Sequence, residues 1–289
     1  MPESLPQKPP KSQKREKSHW FLKHPMVPAF VLPLGAIIGV TILTSLILKV
    51  VVAVCGDGVR SFTQAPEFVT SLLRIALGCI IILVMRVTSE GRFSFGMTGK
   101  RFAPGFVLAS AGLIIAVLNV IEGHFINSLP LQSTLIGWIV ALVGGFAPGF
   151  FEEIVCRGVV LGNMMQRWRG KGNYVLMSVL ASGIAFGLVH FFNLLNGDVF
   201  GTIQQVLYAS AIGIFFGAVY VRTRNLWATI AVHALIDFCA LMFVGQFDTS
   251  TMFSMASAVF TIVAFTVLGL YLVRPSKIQE IRELWENAD

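Results

Sequence analysis

Eight long apolar runs follow one another along the chain, and short polar connections separate them. Each run is close to the 20 or so residues that a helix needs to cross the hydrocarbon core of a bilayer. The pattern therefore predicts an all-α fold, a polytopic transmembrane helical bundle of about eight spans. The predicted spans lie near Pro28–Val54, Phe68–Val87, Ala103–Ile121, Leu131–Phe151, Tyr174–Leu194, Thr202–Val221, Leu226–Val244 and Phe253–Val273.

The composition is that of a membrane protein. Of the 289 residues, 55% are hydrophobic and 13% are charged, which excludes an ordinary soluble domain. The formal charge of +7 is not arranged as a basic face interleaved with stacking aromatic side chains, so we expect no nucleic-acid partner. The four cysteines form no close pair and no C-x-x-C motif, so neither a disulfide framework nor a thiolate zinc site is indicated.

The basic residues lie on one side of the predicted spans. Eighteen Lys and Arg residues fall in the N-terminal tail, the C-terminal tail and alternate connections, whereas Arg60 is the one basic residue of the opposite connections. By the positive-inside rule both termini are cytoplasmic, which requires an even number of spans. We expect residues 1–25 to be a disordered basic cytoplasmic tail, and residues 275–289 to be a short cytoplasmic tail with an exposed helix.

A cluster of charged residues lies at the end of the fourth predicted span. The segment Gly149–Gly158 holds Glu152, Glu153 and Arg157 in an otherwise apolar run, and charged groups at membrane depth are costly and usually functional. Residues four apart share a helix face, so we predict that Glu153 and Arg157 pair as a structural clamp and that Glu152 is left to face a cavity. The Gly-Pro-rich residues 144–149 predict a kink just before it.

Two later spans carry the other candidate side chains. His190 follows Phe186 by four residues, and Asp237 follows His233 by four. A carboxylate beside an imidazole fixes its tautomer and suits either a general base or a metal ligand. The acidic excess of the cluster requires compensation by a divalent cation, by protonated histidines or by a protonated carboxyl group.

Taken in order, these residues form the motifs E-E-x-x-x-R, F-x-x-x-H and H-x-x-x-D. The chain thereby resembles the CAAX protease and bacteriocin-processing family of intramembrane endopeptidases, whose third motif ends in Asn or Asp. The resemblance implies a helical bundle with a conical cavity, in which Glu152 and His190 activate water and His233 stabilises an oxyanion or helps to hold a metal. Because an ionised Asp237 cannot donate a hydrogen bond to an oxyanion, we expect it to orient His233 or to compensate a cation.

The sequence thus predicts that the protein is an intramembrane endopeptidase that crosses the cell membrane several times. Its transmembrane bundle covers residues 26–274, and the catalytic core lies near residues 130–245. The predicted catalytic residues are Glu152, His190, His233 and Asp237. No cofactor is certain; the water is activated either by glutamate alone or with a divalent metal such as zinc, for which Glu152, His190 and His233 are the candidate ligands. The substrate is a peptide or protein, with or without a lipid group, and the bilayer is the other partner.

Two alternatives remain open at this point. A non-catalytic scaffold or immunity protein of the same fold would use the polar cluster only to hold helices together. An ion transporter would use Glu, His and Asp side chains of facing helices as a transport site, although the sequence shows no inverted repeat of the kind that many transporters carry.

Overall fold

A computed structural model describes residues 66–88, 94–195, 198–243 and 254–286, together with scattered helical positions between 31 and 54. These described residues form helices and short connections with no β-strand, apart from an isolated antiparallel bridge between Leu131 and Phe243. The all-α fold is confirmed. The basic tail predicted for residues 1–25 lies outside the described residues.

The α-helices from residue 66 onwards are numbered here in chain order. They are α1 (Pro66–Thr88), α2 (Phe102–Ala109), α3 (Leu113–Val120), α4 (Leu135–Glu153), α5 (Gly162–Arg167), α6 (Tyr174–Leu188), α7 (Val199–Thr223), α8 (Leu226–Leu241), α9 (Met255–Leu272) and α10 (Pro275–Glu286). Short 3₁₀ segments follow α2 and α6, and π-helical segments follow α3 and α4. These segments join α2 to α3 and α4 to α5 into longer continuous helices.

Within the described residues, six helices are long and apolar enough to cross a membrane. They are Phe68–Val87, Phe102–Ile126, Leu135–Arg167, Tyr174–Leu194, Val199–Thr223 and Met255–Leu272. The first predicted span, near Pro28–Val54, lies largely outside the described residues. The seventh predicted span forms α8, which is apolar but has only 16 residues.

Helix α7 lies at the centre of the bundle, because 72% of the residues in its most apolar stretch are buried, the largest share among the six long apolar helices. It packs against α6 on one side and α9 on the other. The contact with α6 requires glycine at position 187, where a Cβ atom would lie 2.5 Å from the carbonyl oxygen of Val206 and 2.8 Å from the backbone nitrogen of Ser210. This close approach brings the turn that carries His190 against α7.

Helices α4 and α8 also meet through glycines. A Cβ atom at Gly145 would lie 2.5 Å from the backbone nitrogen of Phe238, and one at Gly149 would lie 2.8 Å from that of Ala234. The sequence analysis interpreted this glycine-rich run as a kink. Helix α4 continues through Pro148, and the kink stays a prediction; the glycines allow the backbone of α8 to approach α4 closely.

The C-terminal helix α10 differs from the exposed helix that the sequence predicted. Glu280 is exposed and forms an ion pair of 3.0 Å with the partly exposed Lys277, but Ile281 and Trp285 on the other face of the helix are buried. The indole Nε1 of Trp285 donates a hydrogen bond of 3.0 Å to the carbonyl of Val221 in α7. Helix α10 is therefore amphipathic and packs on the end of the bundle.

Candidate active site

The charged segment begins in the last turn of α4. Arg157 Nη1 lies 2.9 Å from Glu153 Oε1, and both side chains are fully buried. The structure thus has the ion pair that the four-residue spacing predicts. Arg157 Nη2 also donates to the carbonyl of Gly213 at 3.4 Å, so the pair connects α4 with the middle of α7.

The residues around Arg157 are not α-helical, because Ile154–Leu161 form a π-helical segment. Such segments are rare and are frequent at functional sites. Two side chains bond to carbonyl groups of this wider turn: the hydroxyl of Ser182 donates to the carbonyl of Cys156 at 2.9 Å, and the amide of Asn163 donates to that of Val159 at 2.7 Å. The π segment is therefore stabilised partly by α6, the helix that leads to His190.

The imidazole of His233 is surrounded by three carboxylates. Its Nδ1 lies 3.0 Å from Glu153 Oε1, and its Nε2 lies 3.5 Å from Asp237 Oδ2 and 4.0 Å from Glu152 Oε2. Because Glu153 is the ionised partner of Arg157, we assign the hydrogen to Nδ1, which donates to Glu153. The sequence analysis expected Asp237 to orient His233 or to compensate a cation; the shorter hydrogen bond of His233 is the one that its Nδ1 donates to Glu153, and Asp237 lies on the opposite, Nε2 side of the ring.

His190 lies at the start of the 3₁₀ segment Val189–Leu195, and its Nδ1 is 3.0 Å from the carbonyl oxygen of Phe186. A carbonyl oxygen can only accept, so Nδ1 carries the hydrogen and Nε2 keeps a lone pair for another donor. His190 is thus arranged to accept a hydrogen bond through Nε2.

Phe186 connects the clamp with both histidines. Its ring meets the rings of His190 and His233 edge to face, with centroids 5.2 and 5.8 Å apart, while the guanidinium of Arg157 lies 4.3 Å from the centroid of the Phe186 ring. Cations over aromatic faces are attracted to the ring quadrupole. The first residue of the F-x-x-x-H motif therefore has a physical role, which is to pack between the ion pair and the two imidazoles.

A cavity of about 80 Å³ lies beside these groups, which is enough for several water molecules. Its polar lining includes His190, His233 and Asp237, and its complete lining is Ile115, Asn119, Phe186, His190, Gln205, Tyr208, Ala209, Ile212, His233, Ile236, Asp237 and Ala240. Glu152 is not part of this lining. Its side chain is 15% exposed whereas that of Glu153 is fully buried, so Glu152 is the more accessible of the two adjacent carboxylates.

Sequence reasoning missed three polar residues of this cavity, namely Asn119, Gln205 and Tyr208. Gln205 accepts a hydrogen bond of 2.7 Å from the amide of Asn193. The signal in the sequence was one polar residue, or the pair Gln204 and Gln205, within an apolar run, which is too common in membrane helices to identify a site.

The donor groups do not form a metal-ligand set. No group of three or more His, Cys, Asp or Glu side chains among the described residues is arranged to hold a metal ion. Of the predicted ligands, His233 already faces Glu153 with Nδ1 and Asp237 with Nε2. The mechanism proposed for this site therefore uses groups of the chain and water.

Among the comparisons with known proteins, a family model matches the middle of the chain. Residues 132–239 match the family model described as type II CAAX prenyl endopeptidase Rce1-like. This match confirms the resemblance to the CAAX protease family, and its bounds contain the residues of all three motifs. No curated protein and no solved structure matches the chain.

Proposed function

We propose that this protein is an intramembrane endopeptidase that hydrolyses a peptide bond with a water molecule activated by Glu152. The observation that carries the proposal is that His190 and His233 line one small cavity between apolar helices, while Glu152 Oε2 lies 4.0 Å from the Nε2 of His233. The match to a protease family over residues 132–239 supports the same reaction class.

Glu152 is the general base of the proposed reaction. Its carboxylate takes a proton from water as the water oxygen adds to the carbonyl carbon of the scissile peptide bond. The tetrahedral intermediate then loses its amine when the carbon–nitrogen bond breaks, and Glu152 returns the proton to the leaving nitrogen. Glu153 cannot take this role because it is fully buried and bonded to both Arg157 and His233.

The two histidines have different roles in the proposal. His190 accepts a hydrogen bond from the attacking water through Nε2, which aligns the water for proton transfer to Glu152. His233 is held by Glu153 with its Nε2 edge towards Glu152 and Asp237. In its imidazolium form, Nε2–H is a donor for the negative charge that develops on the substrate oxygen.

The surrounding architecture is part of the proposal. We propose a cell-membrane protein of about eight spans with both termini in the cytoplasm. Its substrate is a peptide or protein, with or without a lipid group. The one-sided distribution of basic residues and the six apolar helices of the described residues support this arrangement.

The test is cleavage of a fluorogenic peptide library, with and without a prenyl group, by purified wild type and by Glu152→Gln. We expect the substitution to lower kcat by roughly 10²- to 10⁴-fold, as removal of a general base does. Glu283→Gln is the matched control, because Glu283 lies on the exposed face of α10 and should not change cleavage. The metal content of the same samples, read by mass spectrometry, reports on a bound divalent cation.

Two results would contradict the proposal. Unchanged cleavage by a folded Glu152→Gln protein would remove Glu152 from the mechanism. If wild-type protein cleaved neither form of the library, the scaffold interpretation would be preferred, or the transporter interpretation if proteoliposomes showed a cation flux.

A further inference from the structure

The cavity has a polar wall outside the part of the chain that matches the family model. Asn119 belongs to α3, is 5% exposed, and lines the same cavity as His190, His233 and Asp237. The other residues of α3 are all apolar. Burial of an amide is unfavourable unless its hydrogen bonds are satisfied, so an isolated buried Asn in a membrane helix calls for a physical reason.

One hydrogen bond fixes the orientation of this amide. Asn119 Nδ2 lies 3.0 Å from the carbonyl oxygen of Ile236, and since a carbonyl only accepts, the NH₂ group must be the part that faces α8. An amide nitrogen has two N–H donors. The bond to Ile236 uses one of them, and the second stays available to a ligand in the cavity.

The proposed reaction has a place for a second donor beside His233. The intermediate carries an oxyanion, which N–H groups stabilise; the Nε2–H of His233 is one such group, but Asp237 as a carboxylate offers none. Asn119 is bonded to the carbonyl of Ile236, the residue immediately before Asp237. The amide is therefore attached to the same turn of α8 at which the family pattern allows Asn and this chain has Asp.

We propose that Asn119 is a catalytic residue whose second N–H stabilises the oxyanion of the tetrahedral intermediate. This inference rests on the proposed endopeptidase function. It assigns a site residue to α3, a helix outside the matched residues 132–239, so that the oxyanion donor and the general base come from different parts of the chain.

The experiment compares Asn119→Asp, which keeps the shape but removes both donors, with Asn119→Leu, which keeps only the approximate size. Both should lower kcat by roughly 10²- to 10³-fold, the effect of removing one oxyanion donor, with little change in KM. Asn127 is the matched control, because its amide also donates to a helix carbonyl, that of Glu122, but does not line the cavity. Asn127→Asp should leave kcat unchanged.

A double variant separates catalysis from packing. The double variant Asn119→Asp with Asp237→Asn has its amide on α8 instead of α3. We therefore expect its kcat to be at least about tenfold higher than that of Asn119→Asp. The same increase is expected if Asn119→Asp alone folds poorly. Wild-type kcat in either folded single variant, or no recovery in a folded double variant, would overturn the inference.

The proposed function is judged separately from this inference. Cleavage by wild type that is lost in Glu152→Gln supports the endopeptidase whatever the Asn119 variants do. Absence of cleavage by wild type would overturn both proposals together.

Discussion

Two adjacent glutamates have different environments in this site. Glu153 is fully buried and bonds to Arg157 and His233, whereas Glu152 is partly exposed beside the Nε2 edge of His233. The cause is helix geometry, since consecutive side chains point about 100° apart. One carboxylate can therefore hold the architecture while its neighbour stays available for chemistry.

The clamp gives a prediction at the residue scale. Arg157→Met leaves the buried Glu153 carboxylate without its cation, so we expect a loss of about 3–5 kcal/mol in the free energy of unfolding. The double variant Glu153→Gln with Arg157→Met buries no unpaired charge and should recover much of this stability but not cleavage, because His233 loses its anionic acceptor. Denaturant unfolding in detergent and peptide cleavage measure the two effects.

A surface pair serves as the control for this measurement. Arg222 and Glu280 form an ion pair at 3.4 Å in which Glu280 is 56% exposed, so Arg222→Met should cost less than about 1 kcal/mol. If the single and double variants of the clamp were equally unstable, charge burial would not be the cause.

At this scale the sequence predicted local pairs but not distant ones. The spacing of four residues predicted that Glu153 and Arg157 share a face, and they do form an ion pair. The bond from His233 to Glu153 joins residues 80 positions apart, and Asn119 meets Ile236 across 117 positions. No periodicity relates such residues, because the packing of whole helices decides these contacts.

At the element scale, the glycines of α4 determine how closely α8 approaches. The prediction concerns Gly149→Val, which would place side-chain atoms against the backbone nitrogen of Ala234, 2.8 Å from the ideal Cβ position. Backbone in a packed helix cannot rotate away, so we expect a loss of stability of roughly 1–3 kcal/mol. Cleavage should fall as well, because His233 would move away from Glu152 and Glu153.

Gly99→Ala is the control, since no atom lies within 4 Å of a Cβ atom built at this glycine. It should leave both unfolding and cleavage unchanged. Gly149→Ala introduces a smaller side chain, and alanine favours the helix over glycine by about 1 kcal/mol. If this variant is nevertheless less stable than wild type, the contact with α8 is the cause. Wild-type stability in Gly149→Val would contradict the proposed role of the contact.

The sequence predicted which kind of secondary structure the elements form better than it predicted their local details. Apolar length predicted the helices, because every spanning segment must satisfy its backbone hydrogen bonds internally. The π segment Ile154–Leu161 was not predicted, since its residues read as an ordinary helix. Pro148 and its neighbouring glycines are typical both of a kink and of close packing, and the close packing became visible only from the position of the neighbouring helix α8.

At the scale of the whole molecule, basic segments that are distant in sequence lie at one end of the bundle. Arg169 Nη2 donates to the carbonyl of Trp285 at 3.1 Å, and Arg282 Nη2 donates to that of Gly172 at 3.1 Å. The connection between α5 and α6 thus contacts α10. Both segments were assigned to the cytoplasmic side from their charge, so their contact agrees with that assignment.

Cysteine labelling tests this orientation. In a background with the four native cysteines replaced by alanine, Lys171→Cys should react with a membrane-impermeant maleimide only after the cells are permeabilised. Ser133→Cys, which is exposed in the connection before α4, should react in intact cells. The opposite labelling pattern would reverse the proposed topology.

The short helix α8 has a consequence for the surrounding lipid. Its 16 residues span about 24 Å, less than the hydrocarbon core of about 30 Å, while the 33-residue helix Leu135–Arg167 beside it spans about 50 Å. In the proposed topology α8 is one of the spans, so the bilayer around it would have to become thinner, at a cost that grows with each ångström of mismatch. Membrane thickness is therefore a variable that acts directly on the helix carrying His233 and Asp237, and a bilayer of shorter chains deforms less around it.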